Sequence, residues 1–390
     1  MADNVNGGVV PHGTDDAARP PEAWPKVAII VLNWNGWRDA IACLESLQDI
    51  TYPNYQIIVV DNGSTDDSVD RLQAWASGEQ PVESAQTPGR SPRQTRMVIY
   101  SQREAELGGD AGDERALQQV APSRRVVMIL NRANLGFAAG NNVAIRYAIA
   151  RRFPYVNLIN NDVSVQPTYL TTLVQSLGSG ARWSGVGPKV LYATREGRIW
   201  YAGGRVKLWR AGGDHVGLRQ PDSPSWSGVY DTGFVPGCCF LVKSCVFASV
   251  GLLDEDFFFG LEDVDYALRA RRRGFQFAVN LDATVYHNAR VRWDGEHPKL
   301  AYYYNKYRLL LLKKHGTPLQ QLLGFCVVAL TRVPKFAWLL VQRQRALVLC
   351  ELRSIRDFLV GRYGDYDRHQ AVHPRPAPVA ENSGQPGRQA

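Results

Sequence analysis

The chain has 390 residues, 45% of them hydrophobic and 21% charged, which is enough for a sizeable core and about two domains. Its net charge of +8 is unevenly placed: residues 299–370 hold 13 Lys/Arg against 4 Asp/Glu, so the remainder is near neutral. Such a basic end suits an anionic partner, a phospholipid surface or a lipid phosphate, while the lack of a zinc finger, a basic-aromatic single-strand-binding pattern or a basic helix with heptads argues against nucleic acid.

Residues 1–25 are polar and contain Pro and Gly, and read as a disordered tail rather than a signal peptide. Six cysteines (Cys43, Cys238, Cys239, Cys245, Cys326, Cys350) form no C-x-x-C, which fits a reduced, cytoplasmic chain. An apolar run over 27–32 predicts a buried strand ending on Asn33-Trp34-Asn35-Gly36. A helix follows, with Ile41, Leu44 and Leu47 on one face, and Tyr52-Pro53 ends it. The next strand, 57–60, ends on Asp61-Asn62-Gly63-Ser64, and Ser64 or Thr65 caps a helix with Asp66 and Asp67 in its first turn. This rhythm predicts a parallel βαβ start.

Residues 78–124 are rich in Gln, Arg, Glu, Gly, Ser and Pro, and read as an extended, partly disordered surface insertion with one strand at 97–100. The alternation resumes with a strand at 126–130, a helix entered through 134–142, and a strand at 155–159 that stops on Asn160-Asn161-Asp162. A helix over 167–177 follows. Residues 185–235 read as short β pieces with turns at Gly203-Gly204 and Gly212-Gly213, then come strands at 237–242 and 275–279. Between these two strands lies the aromatic and acidic stretch 254–265, and Val285-Tyr286-His287-Asn288 follows the second.

From 299 the pattern is helical. The uncharged stretch 317–331 has 15 residues, short of the roughly 18 needed to cross a bilayer, and Arg332, Pro334 and Lys335 interrupt it. Two readings are open: an amphipathic helix pair on a membrane surface, or a helix packed on the preceding domain. Residues 371–390 read as a second disordered tail.

Ligands of open α/β sheets sit beyond the carboxyl ends of the strands, which makes Asn33, Asn35, Asp61, Asn62, Asn160, Asn161 and Asp162 candidates for binding. Each cluster also reads as an Asx turn or helix cap. Asp61 can accept the N–H of a uracil or thymine ring, and Asp162 can hold a metal that bridges two phosphates. No G-x-G-x-x-G follows the first strand and no G-x-x-x-x-G-K-[ST] occurs, which argues against dinucleotide oxidoreduction and P-loop hydrolysis. Glu262, Asp263 and Asp265 crowd three carboxylates into four positions, where one can serve as a base or simply favour a helix start. His287 is a candidate metal ligand, Arg290 and Arg292 can neutralise a pyrophosphate, and Trp293-Asp294-Gly295-Glu296 reads as a lid.

The segments 27–35, 59–66, 134–142, 158–162, 237–242, 262–268 and 286–287 resemble, in order and spacing, the family-2 glycosyltransferases, most closely a bacterial rhamnosyltransferase-like branch that makes cell-surface polysaccharide. The resemblance covers about 26–315. It implies a GT-A fold over 26–298, a mixed Rossmann-like α/β sheet flanked by helices with 78–124 inserted. The basic helical extension over 299–370, read from its charge and pattern, follows that domain, and the resemblance implies inverting, metal-dependent transfer from a nucleotide-diphospho-sugar. The acceptor would be a hydroxyl of a glycan or lipid-linked molecule at the inner face of the cell membrane. By position, Asp61 resembles the base-binding Asp and Asp162 the last carboxylate of D-x-D. Asp263 resembles the catalytic base in the Glu262-Asp263 pair, His287 a ligand of magnesium or manganese, and Asn134, Gly136 and Asn141 fall in a donor-binding segment. Asn160 stands where D-x-D has its first carboxylate. Transfer to a polyprenyl phosphate, or a catalytically dead sugar-nucleotide-binding scaffold, are the alternatives.

Overall fold

The computed structural model describes residues 24–79, 93–178, 180–195, 197–289 and 298–366. Of the expected tails 1–25 and 371–390, residues 1–23 and 371–390 lie outside the described residues, as do Arg290, Arg292 and the expected lid at 293–296, while Trp24 and Pro25 pack on Tyr52.

The first half is β1 (Val27–Asn33), α1 (Trp37–Gln48), β2 (Tyr55–Asp61), α2 (Ser68–Ser77), β3 (Arg96–Ser101), α3 (Gln102–Glu106), α4 (Ala111–Gln118), β4 (Arg125–Leu130), α5 (Gly136–Ala150) and β5 (Tyr155–Asn160). Every residue of β2 is buried, and β1 is nearly so, which is why both read as unbroken apolar runs: helices cover both faces of a parallel sheet. β1 pairs in parallel with β2 and with β5, and its register sets Asn33 beside Asp61 and Leu32 beside Asn160. Three polar strand ends therefore lie side by side on one sheet edge.

The segment expected to be extended over 78–124 is a folded part of the sheet from residue 93 onward. β3 pairs with β4 as an edge strand. A reciprocal cap then starts α3: the Ser101 hydroxyl accepts from the Glu104 N–H while the Glu104 carboxylate accepts from the Ser101 N–H. Asp110 caps α4 by accepting the Gly112 and Asp113 N–H groups. Polar composition there reflects an edge strand and two short, well-capped surface helices.

The second half is β6 (Val163–Val165), α6 (Tyr169–Ser176), β7 (Gly185–Tyr192), β8 (Ile199–Tyr201), β9 (Gly204–Lys207), β10 (Gly212–His215), β11 (Val229–Thr232), β12 (Cys239–Lys243), α7 (Ser244–Val250), α8 (Glu262–Arg272) and β13 (Phe277–His287). The main sheet runs β11-β13-β7-β12-β5-β1-β2-β4-β3. β12 is antiparallel to both β5 and β7, so the sheet is mixed, as a GT-A architecture requires. Gly204, Gly212 and Gly213, expected in turns, lie instead in the antiparallel β9–β10 ribbon, whose turn is made by residues 208–211. The expected pieces 275–279 and 285–288 are joined in one strand, β13, with an irregularity in its register against β7 between Asn280 and Thr284.

Three helices close the described chain: α9 (Pro298–His315), α10 (Pro318–Val341) and α11 (Arg345–Leu359). α10 is continuous for 24 residues, so Arg332, Pro334 and Lys335 do not interrupt it. The two charges are tied down by α11: Arg332 and Lys335 donate to the buried Glu351 carboxylate at 3.3 and 2.6 Å. By length and composition α10 could cross a membrane, yet it lies along α9. A Cβ at Gly324 would strike Leu312 of α9, and Leu339 near the other end clusters with Ala301, Leu347 and Val348. The opposite face leaves Leu319, Leu322, Leu330, Trp338 and Val341 more than half exposed.

Candidate active site

The site begins at the carboxyl edge of β5, β1 and β2. Asn161 Nδ2 donates to Asn33 Oδ1 at 3.0 Å, and Asn33 Nδ2 donates to Asp61 Oδ1 at 3.2 Å. Asp61 also accepts the Ser64 hydroxyl at 2.6 Å and the Ser64 N–H at 3.0 Å. Asp61 is buried, and these bonds use three of the four lone-pair sites of a carboxylate, leaving one on Oδ2 for a further donor such as a ring N–H. Asn35, at φ 50°, accepts the Thr65 N–H on its side-chain Oδ1 at 2.7 Å and so clamps the two loops together. Trp34 between them is 52% exposed.

Four candidates are occupied by scaffolding. Asn62 makes four bonds, donating to Asn134 Oδ1 and the Gly136 carbonyl and accepting from Asn131 Nδ2 and the Leu135 N–H. Asn134 accepts from the Gly136 N–H, and Asn141 donates to the Phe137 carbonyl one turn back in α5. Gly136 has φ +85°, and a Cβ there would lie 2.6 Å from Phe258. These residues shape the β4–α5 turn and seat the 254–261 loop on it.

β6 starts directly after Asp162 and pairs antiparallel with the end of β13, placing His287 opposite Val163. This brings His287 Nε2 to 3.2 Å from Asp162 Oδ1. Asp162 Oδ1, His287 Nδ1 and Asn160 Oδ1 are buried, and none takes part in a hydrogen bond of normal geometry. Carboxylate, amide oxygen and imidazole together suit magnesium or manganese. Among the described residues no group of three or more His, Cys, Asp and Glu gathers, so such an ion would take its remaining ligands from phosphate oxygens, water or Asn160. Trp200 packs edge-on against His287 at 4.7 Å and against His215 at 4.4 Å, fixing the imidazole from the β8 side.

Glu262 and Asp263 open α8 just after Gly260 and Leu261, both with positive φ. Burial pushes both carboxyls above the usual carboxylate range, and the Asp263 charge pushes Glu262 further. Asp263 offsets part of this by accepting the Val264 N–H at 2.7 Å and the Gly237 N–H at 3.3 Å, whereas Glu262 Oε2 is buried with no partner. Asp263 is therefore the carboxylate that ionises first, and Glu262 retains the proton. In the turn that leads into β12, the next residue, Cys238, accepts the Asn160 N–H on its carbonyl at 3.0 Å. One dipeptide thus touches both the carboxylate pair and the strand end that carries Asp162.

Asp265 faces away from this site. It accepts from Arg269 Nε at 2.7 Å and lies 2.7 Å from His315 Nε2. Burial raises its pKa, but the His315 and Arg269 bonds outweigh that and hold it below the usual carboxylate range. Sequence reasoning missed His315, Trp200 and the Gly237 N–H as partners. The run of tyrosines at 302–307 was a visible signal for a packed α9, but no local pattern announced His315.

Residues 28–93 match the family model described as glycosyl transferase family 2, and residues 108–301 the one described as glycosyltransferase like family 2. The chain is 27% identical over 282 residues to the uncharacterized protein y4gI of Sinorhizobium fredii, covering 69% of this chain and 25% of that protein. It is 26% identical over 234 residues to the N-acetylglucosaminyl-diphospho-decaprenol L-rhamnosyltransferase of Mycobacterium tuberculosis, covering 54% of this chain and 74% of that protein. The solved mannosyltransferase of Pyrobaculum calidifontis, in complex with GDP-Man and Mn2+, is similar with a TM-score of 0.48 and 14% identity, over 88% of this chain and 90% of that one. The chain therefore spans about a quarter of the length of y4gI and about three quarters of that of the rhamnosyltransferase.

Proposed function

The chain belongs to glycosyltransferase family 2, and from that premise we propose that it moves a rhamnose-like sugar from a nucleotide-diphospho-sugar to a hydroxyl of a lipid-linked or glycan acceptor, with inversion, in cell-surface polysaccharide synthesis. The observation that carries this reading is the Gly237-Cys238 bridge, which sets the Glu262–Asp263 pair beside the edge that bears Asp162 and His287. The rhamnosyl and lipid-linked parts take their support from the M. tuberculosis relative.

Asp263 takes the proton of the acceptor hydroxyl as that oxygen attacks the anomeric carbon, and the bond to the diphosphate breaks. The Gly237 and Val264 N–H groups keep Asp263 ionised before the transfer. Glu262, holding its proton, adds no second negative charge against the incoming oxygen. Asp61 offers its remaining lone pair to the base. Asp162 and His287, with Asn160 beside them, hold the divalent ion, which when bound offsets charge on the leaving diphosphate.

A thermal-shift screen of sugar nucleotides tests the class and the ion together. TDP-rhamnose with manganese raises the melting temperature by several degrees, and Asp162→Ala removes the manganese-dependent part. A rise of the same size without metal, or retained in Asp162→Ala, would sink the metal assignment.

We propose further that the protein works at the anionic inner face of the cell membrane, where a lipid-linked acceptor would lie. α10 rests on α9 toward both ends and leaves Leu319, Leu322 and Leu330 exposed, and residues 299–370 carry an excess of Lys and Arg, which supports docking in the plane of the bilayer rather than across it. The full chain floats with phosphatidylserine vesicles at low salt, and Leu330→Glu reduces this at least fivefold. A chain that stays in the bottom fraction with these vesicles, or that resists alkaline carbonate extraction as spanning proteins do, overturns the in-plane reading.

A further inference from the structure

The loop leading into the carboxylate pair is held from two sides. On one side the Phe137 N–H of α5 donates to the Phe258 carbonyl at 2.7 Å. On the other, the Phe258 N–H donates to the Tyr307 hydroxyl of α9 at 2.8 Å, and the Phe258 ring stacks on Tyr303 at 5.4 Å and 20°. Phe257 packs on the Tyr307 ring at 5.3 Å. Three residues beyond Phe258, Leu261 sits at φ +69°, a conformation that a branched side chain adopts only when its surroundings impose it, and Glu262 and Asp263 follow at once.

The Tyr307 hydroxyl is itself oriented. Its proton goes to the Gly364 carbonyl at 3.3 Å, beyond α11, which turns a lone pair toward the Phe258 N–H. The same carbonyl accepts from Lys306 at 3.0 Å. Lys306 is fully buried inside a cage of Tyr302, Tyr303 and Tyr307, and also donates to the Tyr302 hydroxyl at 3.0 Å, which in turn donates to Asp357. The chain after α11 thus reaches the catalytic-loop backbone through the Tyr307 hydroxyl, and reaches the Phe258 ring through Tyr303, whose hydroxyl bonds Asp365.

We propose that Tyr307 is a positioning residue for the Glu262–Asp263 pair, acting through the Phe258 backbone, with the Gly364 turn setting the direction of its hydroxyl. The proposal rests on the assignment of Asp263 as the base. It makes the C-terminal helices part of the machinery that aims the base.

Tyr307→Phe keeps the ring and removes only the hydroxyl. With TDP-rhamnose as donor and a polyprenyl-diphospho-N-acetylglucosamine as acceptor, kcat falls about tenfold, while the dissociation constant for TDP stays within twofold of wild type. Backbone deuterium uptake over residues 257–262 rises at least fivefold. Tyr302→Phe, which loses the Asp357 and Lys306 bonds but touches no catalytic-loop backbone, lowers the melting temperature and keeps kcat within twofold. Wild-type exchange over 257–262 in Tyr307→Phe overturns the proposal, and so does an equal kcat loss in Tyr302→Phe. The exchange measurement needs no turnover: failure of wild type to use any donor would count against the functional reading, and exchange alone would still decide the positioning role.

Discussion

Replacing Asp263 with asparagine lowers turnover by about 10²–10⁴-fold, the span of a lost general base, and leaves TDP binding within twofold of wild type. Asparagine keeps the shape but can accept only one of the Gly237 and Val264 N–H groups, which bond different carboxylate oxygens, so the unchanged TDP binding is what separates lost proton transfer from disturbed folding. Burial places the Asp263 carboxyl above the usual range, and the base works only when ionised. The acid limb of the wild-type kcat profile therefore lies above the ordinary carboxylate range and disappears from what activity the variant retains. The measurement also separates acceptors. A polyprenyl phosphate is already an anion and needs no base, so a loss below about fivefold would reassign the reaction to that acceptor and retire Asp263 as the base.

The second large effect is on stability. Asp265→Ala costs about 3–5 kcal/mol, because it leaves the Arg269 guanidinium and the buried His315 ring without their shared carboxylate. The native pKa of Asp265 is depressed, so its contribution is fully present above the unfolded carboxylate value of about 3.9 and drains as pH falls toward the lower native one. Wild type and variant should therefore converge in urea midpoint only in acid. Equal midpoints at neutral pH would mean that Asp265 contributes no stability there. The end of α9 keeps its other ties, the Arg272 guanidinium donating to the His315 carbonyl and Lys314 bonding Asp254 and Asp256.

The strands that carry the donor side were legible because each is a run of apolar residues ending on Asn or Asp, a pattern that parallel strands buried on both faces must show. Asp162 and His287 were legible as types, and the structure adds that β6–β13 pairing brings them together. What composition concealed was local. The capping box at Ser101–Glu104 and the Asp110 cap stood in the sequence, but charge-rich surroundings masked them. The antiparallel course of β12 could not be read, since a short apolar strand looks alike in either direction. α10 looked broken at Arg332 and Lys335 because their partner, Glu351, lies on another helix. Asn62, Asn134 and Asn141 read as ligand contacts, and the structure shows that each also ties the chain to itself, a task that a side-chain amide suits equally.

The reversed direction of β12 divides the ligand rim into two electrical halves. β1, β2 and β4 each run up to the rim and are followed by helices α1, α2 and α5, whose starting N–H groups lend that half a positive field. β12 starts at the rim instead of ending there, so its helix α7 begins at the far edge. On this side α8 starts at the site, and Glu262, Asp263 and Asp265 occupy its positive end. In the proposed reaction a departing diphosphate would thus be drawn toward the half bearing Asp61 and repelled from the proposed base, so chain direction helps to bias which way charge leaves.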